Sequence, residues 1–168
     1  AHNIVPCWKV SDKKEYSAFT IRKKINACLT EFLDVFPHMR IHPYGFTGEW
    51  SPPDFREAER SLSVNTGVPP VDWLQPGEKH AFQVLDSFLT TGLGGYGQYA
   101  NDPNAAVLSN LSPYIHFGQI SAQRVALEVS RYALDTGINA EAFLEQLIVR
   151  RELAENFCYY CDSYDSID

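Results

Sequence analysis

The sequence predicts a mainly α-helical protein. Three observations carry that expectation. Apolar residues recur every three or four positions in four long stretches, Ser, Asp, Pro and Gly punctuate those stretches where helices begin and end, and strand-like patterning is confined to the extreme N-terminus. With 168 residues, 45% hydrophobic and 13% aromatic, the chain is long and apolar enough for one ordinary domain with a core.

Taken in order, "NIVPCW" from Asn3 to Trp8 reads as the end of a buried strand. In "SDKKEYSAFTIRKKINACLTEFLDVF", Ala18, Ile21, Ile25, Leu29, Phe32 and Phe36 step by three or four, which predicts an amphipathic helix. Asp12 with Glu15 three residues later resembles a capping box, and Pro37 ends the helix. Arg22, Lys23 and Lys24 read as a solvated face. Residues 37–53, "PHMRIHPYGFTGEWSPP", hold four Pro and two Gly with no period, which predicts a loop or linker. "DFREAERSL" is a short helix opened by Asp54, and "VPPVDWLQPGEK" is a second Pro-rich approach. "KHAFQVLDSFL" is amphipathic through Ala81, Leu85, Phe88 and Leu89, and the glycines of "TTGLGGYG" are expected to end it. In "SAQRVALEVSRYALDTG", Ser121 caps, Val125, Val129 and Tyr132 face inward, and Gly137 closes. "AEAFLEQLIVRRELAENFCYY" is the last helix. There is no internal repeat.

The charge is −7 overall but uneven: residues 1–50 carry seven Lys/Arg against five Asp/Glu, residues 51–168 seven against sixteen. An acidic sum argues against nonspecific polyanion binding, though a local basic groove is compatible with it. No apolar run is long enough to predict a membrane span. The opening "AHNIVPCW", with no start methionine and no basic-then-apolar leader, reads as the inside of a longer intracellular protein. Cys7, Cys28, Cys158 and Cys161 are too few for a disulfide framework. "CYYC" together with His38 and His42 has the donor types of a zinc site. With no second C-x-x-C the favoured reading is a buried Cys158 at a helix end and loop histidines.

Two segments carry chemistry. "NDPNAAVLSNLSPYIHFGQIS", Asn101 to Ser121, crowds three Asn, three Ser and two Pro around a helix start. Ser112 before Pro113 predicts a hydroxyl N-cap with Pro at the first helical position. Such a turn is either an ordinary capped start or, with Ser109 and Asn110 adding donors, a seat for phosphate oxygens. There is no G-x-G-x-x-G and no G-K-[ST], so a dinucleotide Rossmann turn and a P-loop are excluded. In "LIVRREL", Arg150, Arg151 and Glu152 interrupt an apolar helix. Burying arginine requires a partner, so they form either a structural Arg–Glu pair or one cavity-facing arginine with the other held by a carboxylate.

Together "AHNIVPCW", "LSNLSPYIHFGQISAQRVALEV" and "LEQLIVRRELAENFCYY" resemble class II cyclobutane pyrimidine dimer DNA photolyases, across essentially the whole chain. The resemblance implies a flavoprotein in which residues 1–36 end an α/β antenna domain, 37–53 form a linker, and 54–168 begin an all-helical FAD-binding domain. It implies light-driven electron transfer from reduced FAD to a pyrimidine dimer flipped out of double-stranded DNA, in a monomeric intracellular enzyme, nuclear if eukaryotic. The antenna pigment is left open, and no catalytic residue is implied within this stretch. By motif, Tyr96, Leu108, Ser109, Asn110, Leu111, Ser112, Phe143 and Arg151 are implied to contact FAD, and Gln146 and Arg150 the lesion. Two positions depart from the pattern. Ala100 stands where the family has a basic DNA contact, and Gln146 stands where it has Glu, which puts lesion affinity and repair yield in question. Beyond "DSYDSID" the resemblance implies further helices with the remaining flavin contacts, so this stretch alone is expected to bind flavin weakly or not at all. A cryptochrome-like photosensor and a structural helical domain from a truncated copy are the alternatives.

Overall fold

A computed structural model describes residues 3–38, 40–65 and 67–166. All regular structure among them is helical. The chain divides into two compact units, Ala1–Val35 with Pro76–Asp168, and Phe36–Gln75.

The first unit opens differently from the strand expected of "NIVPCW". The chain bends at Ile4 and Val5 and enters a single turn, α1 (Cys7–Val10). The physical reason lies 147 residues away. The amides of Ile4 and Val5 donate to Oε1 of Glu152 at 2.6 and 3.1 Å, and Asn3 Nδ2 donates to Oε2 at 2.9 Å. A side-chain carboxylate takes the place of a neighbouring strand.

α2 (Ala18–Phe32) begins at Ser17, whose hydroxyl accepts from the Thr20 amide, not at the expected Asp12. Glu15 is employed elsewhere. It accepts from Ser11 Oγ at 2.7 Å and Lys24 Nζ at 2.5 Å, while its amide donates to Asn156 Oδ1. Ala18, Ile21 and Ile25 are buried, and the helix stops at Phe32, short of Phe36. The basic cluster is only partly a solvated face. Lys24 pairs with Glu15, and Arg22 grips Glu145 through two hydrogen bonds of 2.9 and 2.7 Å.

In the second unit, α3 (Phe55–Ser61) starts at Asp54, whose carboxylate accepts from the amides of Arg56 and Glu57. It buries none of its residues.

The first unit resumes with α4 (Glu78–Ser87), which buries Ala81 and Leu85. The glycines that follow do not terminate it. The helix widens into a π segment, Phe88–Gly92, and continues as α5 (Leu93–Tyr99). Gly92 sits at φ −104°, so it serves close approach and not a left-handed stop. A short turn, α6 (Ser112–His116), precedes α7 (Ala122–Thr136). α7 begins at Ser121, ends at left-handed Gly137 with φ 75°, and buries Val125, Ala126 and Val129. The last run is α8 (Glu141–Leu144), a second π segment, Glu145–Arg150, and α9 (Arg151–Tyr160). This π segment packs on α2 and α7, and α8 packs on α5.

α9 presents Glu152, Asn156 and Tyr160, four apart on one face, to the N-terminal segment. Asn156 Nδ2 donates to the Lys13 carbonyl at 3.1 Å, and the Tyr160 hydroxyl donates to the Ser11 carbonyl at 2.6 Å. Cys158, expected to be buried, is exposed, and among the described residues no group of three His, Cys, Asp or Glu is placed to hold a metal.

Burial raises the Glu152 carboxyl's pKa, and the amides of Ile4 and Val5 and the Asn3 side chain oppose that rise. Glu152→Ala strands two buried N–H groups, so we expect a loss of about 3 kcal/mol in urea unfolding, with Glu152→Gln, which keeps an acceptor, costing less. The pairing with Lys24 holds Glu15 down to about 2 from an ordinary 4.5. A depressed carboxylate stabilises above its unfolded value and loses that contribution as pH falls through the folded one. Lys24 is 39% exposed and therefore screened, so Glu15→Gln is expected to cost about 1 kcal/mol at neutral pH. That difference should shrink between pH 4.5 and 2 in pH-dependent thermal melts.

Candidate cofactor site

Three segments meet around a cavity of about 540 Å³. α5 brings Tyr96. The loop before α6 and α6 itself bring Ser109, Ser112, Ile115 and His116, and the last helical run brings Phe143, Gln146, Leu147, Arg151 and Glu155.

The aromatic end is a cluster of three rings. Phe143 lies 4.6 Å from Phe88 and 5.3 Å from Tyr96 between centroids, and the Tyr96 ring stands edge-on to Phe143 at 89°. That arrangement is favourable for ring quadrupoles. Phe88 and Phe143 are buried, whereas Tyr96 is half-buried, so it presents its ring to the cavity. Burial pushes the Tyr96 hydroxyl's pKa up, which keeps it a neutral donor.

Glycines set the distance between α5 and the serine loop. A Cβ on Gly92 would come within 2.8 Å of the Phe88 ring and 3.2 Å of the Val107 carbonyl oxygen, and one on Gly95 within 3.0 Å of Val107 Cγ1. Glycine at these positions leaves Val107 room beside α5 that a Cβ would crowd. The loop then turns at Asn110, the only non-glycine residue with positive φ among those described, at 53°.

That turn alters the role expected of Ser112. The helix starts a residue earlier, with Leu111 at its N-cap position and no side chain capping it. Ser112 therefore sits inside the first turn, lining the cavity instead of capping. Ser109 Oγ accepts from the Leu111 amide at 3.4 Å, which leaves its own hydroxyl proton to donate.

Of the residues named from sequence, Tyr96, Ser109, Ser112, Phe143, Gln146 and Arg151 line this one cavity. Leu108, Asn110 and Leu111 do not. Leu111 is a core side chain at 1% exposure, and Leu108 is 54% exposed. Arg150 faces a different groove and lies 3.9 Å from Glu145. Of the two readings of "VRRE", the places of Arg151 in the cavity and Arg150 near the Glu145 carboxylate agree with the second, while Glu152 accepts from the backbone amides of Ile4 and Val5. Ala100 follows α5 at its C-cap. Sequence reasoning missed Ile115, His116, Leu147 and Glu155. Helical spacing carried the signal: Phe143, Leu147, Arg151 and Glu155 step by four, and Ile115 and His116 follow Ser112 by three and four.

Both π segments border the site, the first carrying Phe88 and the second Gln146 and Leu147. An extra residue per turn re-aims side chains, and such segments recur at functional sites. Arg22 braces the second by gripping Glu145, whose pKa it lowers.

The donors suit a particular ligand chemistry. Two hydroxyls and a guanidinium match phosphate oxygens, the rings of Tyr96 and Phe143 with Ile115 and Leu147 match a flat heteroaromatic system, and the volume falls in the range of about 300–1,000 Å³ usual for small-molecule sites. The residues present therefore fit the chemistry of FAD, which joins phosphate to flat heteroaromatic rings. Fold and cavity together define a helical protein with a cavity of mixed polar and aromatic lining between its helices.

Comparison with known proteins narrows that class. No family model matches the chain. It is 44% identical over all of its 168 residues to a deoxyribodipyrimidine photo-lyase of Potorous tridactylus, covering 32% of that protein. Over 99% of the chain it is 44% identical to the deoxyribodipyrimidine photo-lyase of Oryza sativa subsp. japonica, covering 34%, and over 98% it is 40% identical to that of Methanothermobacter thermautotrophicus, covering 35%. The chain thus spans about a third of the length of these curated relatives. The similarities support the photolyase family.

Gly92→Ala is expected to press on the Phe88 ring and the Val107 carbonyl, costing about 1–3 kcal/mol in thermal unfolding. An unchanged melting temperature would show that the loop does not depend on this close approach.

Proposed function

We propose that the chain forms the phosphate-binding and lesion-facing part of a light-driven DNA repair enzyme that splits cyclobutane pyrimidine dimers, with residues 1–36 ending an antenna domain, 37–53 linking and 54–168 beginning the FAD-binding domain. The observation that carries this reading is the convergence of Tyr96, Ser109, Ser112, Phe143, Gln146 and Arg151 on one cavity. Similarity to proteins named deoxyribodipyrimidine photo-lyase over the whole chain adds to it.

On this reading Ser109 and Ser112 donate hydroxyl hydrogens to the diphosphate, and Arg151 neutralises it. Glu155 would accept from sugar hydroxyls, and the ring of Tyr96 would pack against the cofactor. FAD, once reduced, supplies the electron and absorbs the light. Gln146 meets the base edge of the flipped dimer with one acceptor and two donors. The acceptor serves a base N–H, and the amide leaves the site without the charge a carboxylate would add. No helix among the described residues is long and apolar enough to cross a membrane.

Gln146 and Ala100 favour one second reading, a photosensor that keeps the flavin cavity and has lost repair.

This stretch alone is expected to bind flavin weakly or not at all. The test therefore uses it within a full-length protein of the relatives' size, with FAD, blue light and an oligonucleotide carrying one thymine dimer. Dimer loss followed by chromatography is expected, with Arg151→Ala weakening FAD binding about tenfold or more, as loss of a hydrogen bond to charge implies. FAD binding without splitting would leave the photosensor reading, and no FAD binding with the protein folded would refute both.

A further inference from the structure

Beside the cavity, on the neighbouring face of the last helical run, lies a groove of about 550 Å³ whose lining includes Lys14, Tyr16, Arg150 and Phe157. We propose that this groove binds the sugar-phosphate strand of nucleic acid adjoining the nucleotide held in the cavity. The proposal rests on the DNA-repair reading above and adds to it a strand-binding surface shared by the last helical run and the N-terminal segment.

Charge is the first argument. Glu15 also lines the groove, but Lys24 and Ser11 already hold it. Arg150 touches Glu145 only at 3.9 Å, while Arg22 grips that same carboxylate with two short hydrogen bonds. Glu15 and Glu145 thus each have a cation of their own, and Lys14 and Arg150 add positive charge at the groove in a chain of net charge −7. An overall acidic protein repels a polyanion at a distance, so contact has to come from a local surface of this kind.

Aromatic exposure is the second argument, and it separates nucleic acid from other polyanions. Lys14 Nζ lies 5.5 Å from the Tyr16 ring centroid and 5.6 Å from that of Phe157. Tyr16 is 84% exposed and Phe157 42%. Exposed rings flanking a cation offer stacking faces to bases and a counter-charge to phosphate, the pairing found in grooves that track single strands. Position is the third. Arg150 and Arg151 are consecutive, one in the groove and one in the cavity. A strand crossing between them puts one nucleotide in the cavity and its neighbour's phosphate on Lys14 and Arg150.

The experiment measures binding of the full chain to a fluorescent duplex with one thymine dimer, to its undamaged counterpart and to a heparin oligosaccharide, across a salt series. Lys14→Ala is expected to weaken binding of the dimer duplex about three- to tenfold and to reduce the slope of log affinity against log salt by about one. Lys14→Arg should retain both. Tyr16→Ala should weaken duplex binding with the slope unchanged, and should leave heparin binding alone. Melting temperatures report folding of each variant. If the wild type binds the dimer duplex and neither Lys14→Ala nor Tyr16→Ala alters affinity or slope, the groove proposal is wrong while the repair reading stands. Heparin binding that falls equally with Tyr16→Ala overturns the assignment to nucleic acid. A wild type that binds FAD but no DNA removes the reading beneath it.

Discussion

The arrangement depends on one polar contact surface, the inner face of α9 against the irregular N-terminal segment. Glu152, Asn156 and Tyr160 between them satisfy two amides, an amide–carbonyl pair and a further carbonyl in residues 4–15. Glu152 and Asn156 are 2% and 1% exposed. Unpaired buried backbone groups are costly, so these side chains do for an unpaired segment what a sheet partner does for a strand. They also fix α9 about its axis. With Glu152 turned toward Ile4, Arg151 points to the cavity and Arg150 to the groove, which makes the chemistry of two adjacent arginines a consequence of the residue that follows them.

The cavity arises from departures from regular helix. Two π segments flank it, and two glycines let the serine loop approach α5. Each departure would be a weakness in an isolated helix. Here packing compensates: Phe88 and Leu89 from one segment and Leu147, Ile148 and Val149 from the other are all buried. Arg22 adds a tether from α2 to Glu145, so the segment carrying Gln146 is held from both the apolar and the polar side.

Elements whose signals are local were legible in the sequence. α7 has its start at Ser121, its stop at Gly137 and its apolar face at a spacing of three and four, and the structure matches each. α3 likewise follows from Asp54. The N-terminal strand failed because alternation and apolarity do not reveal that an acceptor 147 residues away will take the amides. The glycines after α4 were misread because a glycine signals permitted positive φ or absent bulk with the same letter, and here absent bulk decides. For the site, motif resemblance assembled six cavity residues from three segments, which no single local period joins. It was silent on Glu155 and His116, whose helical spacing alone marks their face. The basic cluster at Arg22 to Lys24 looked solvated because its acids come from a loop and a distant helix.

The clasp on α9 also bears on synthesis. During translation the amide of Ile4 leaves the ribosome 148 residues before the carboxylate it will bond, an interval of roughly 7–30 s at ordinary elongation rates of about 5–20 residues per second. α2, α4 and α7 can form meanwhile from local contacts, but the carboxylate that takes the Ile4 and Val5 amides arrives only with α9. Until then those two amides lack the acceptor they have in the folded chain, and unpaired backbone is a condition under which nascent chains associate wrongly. The last helix therefore acts as the latch that ends this vulnerable interval.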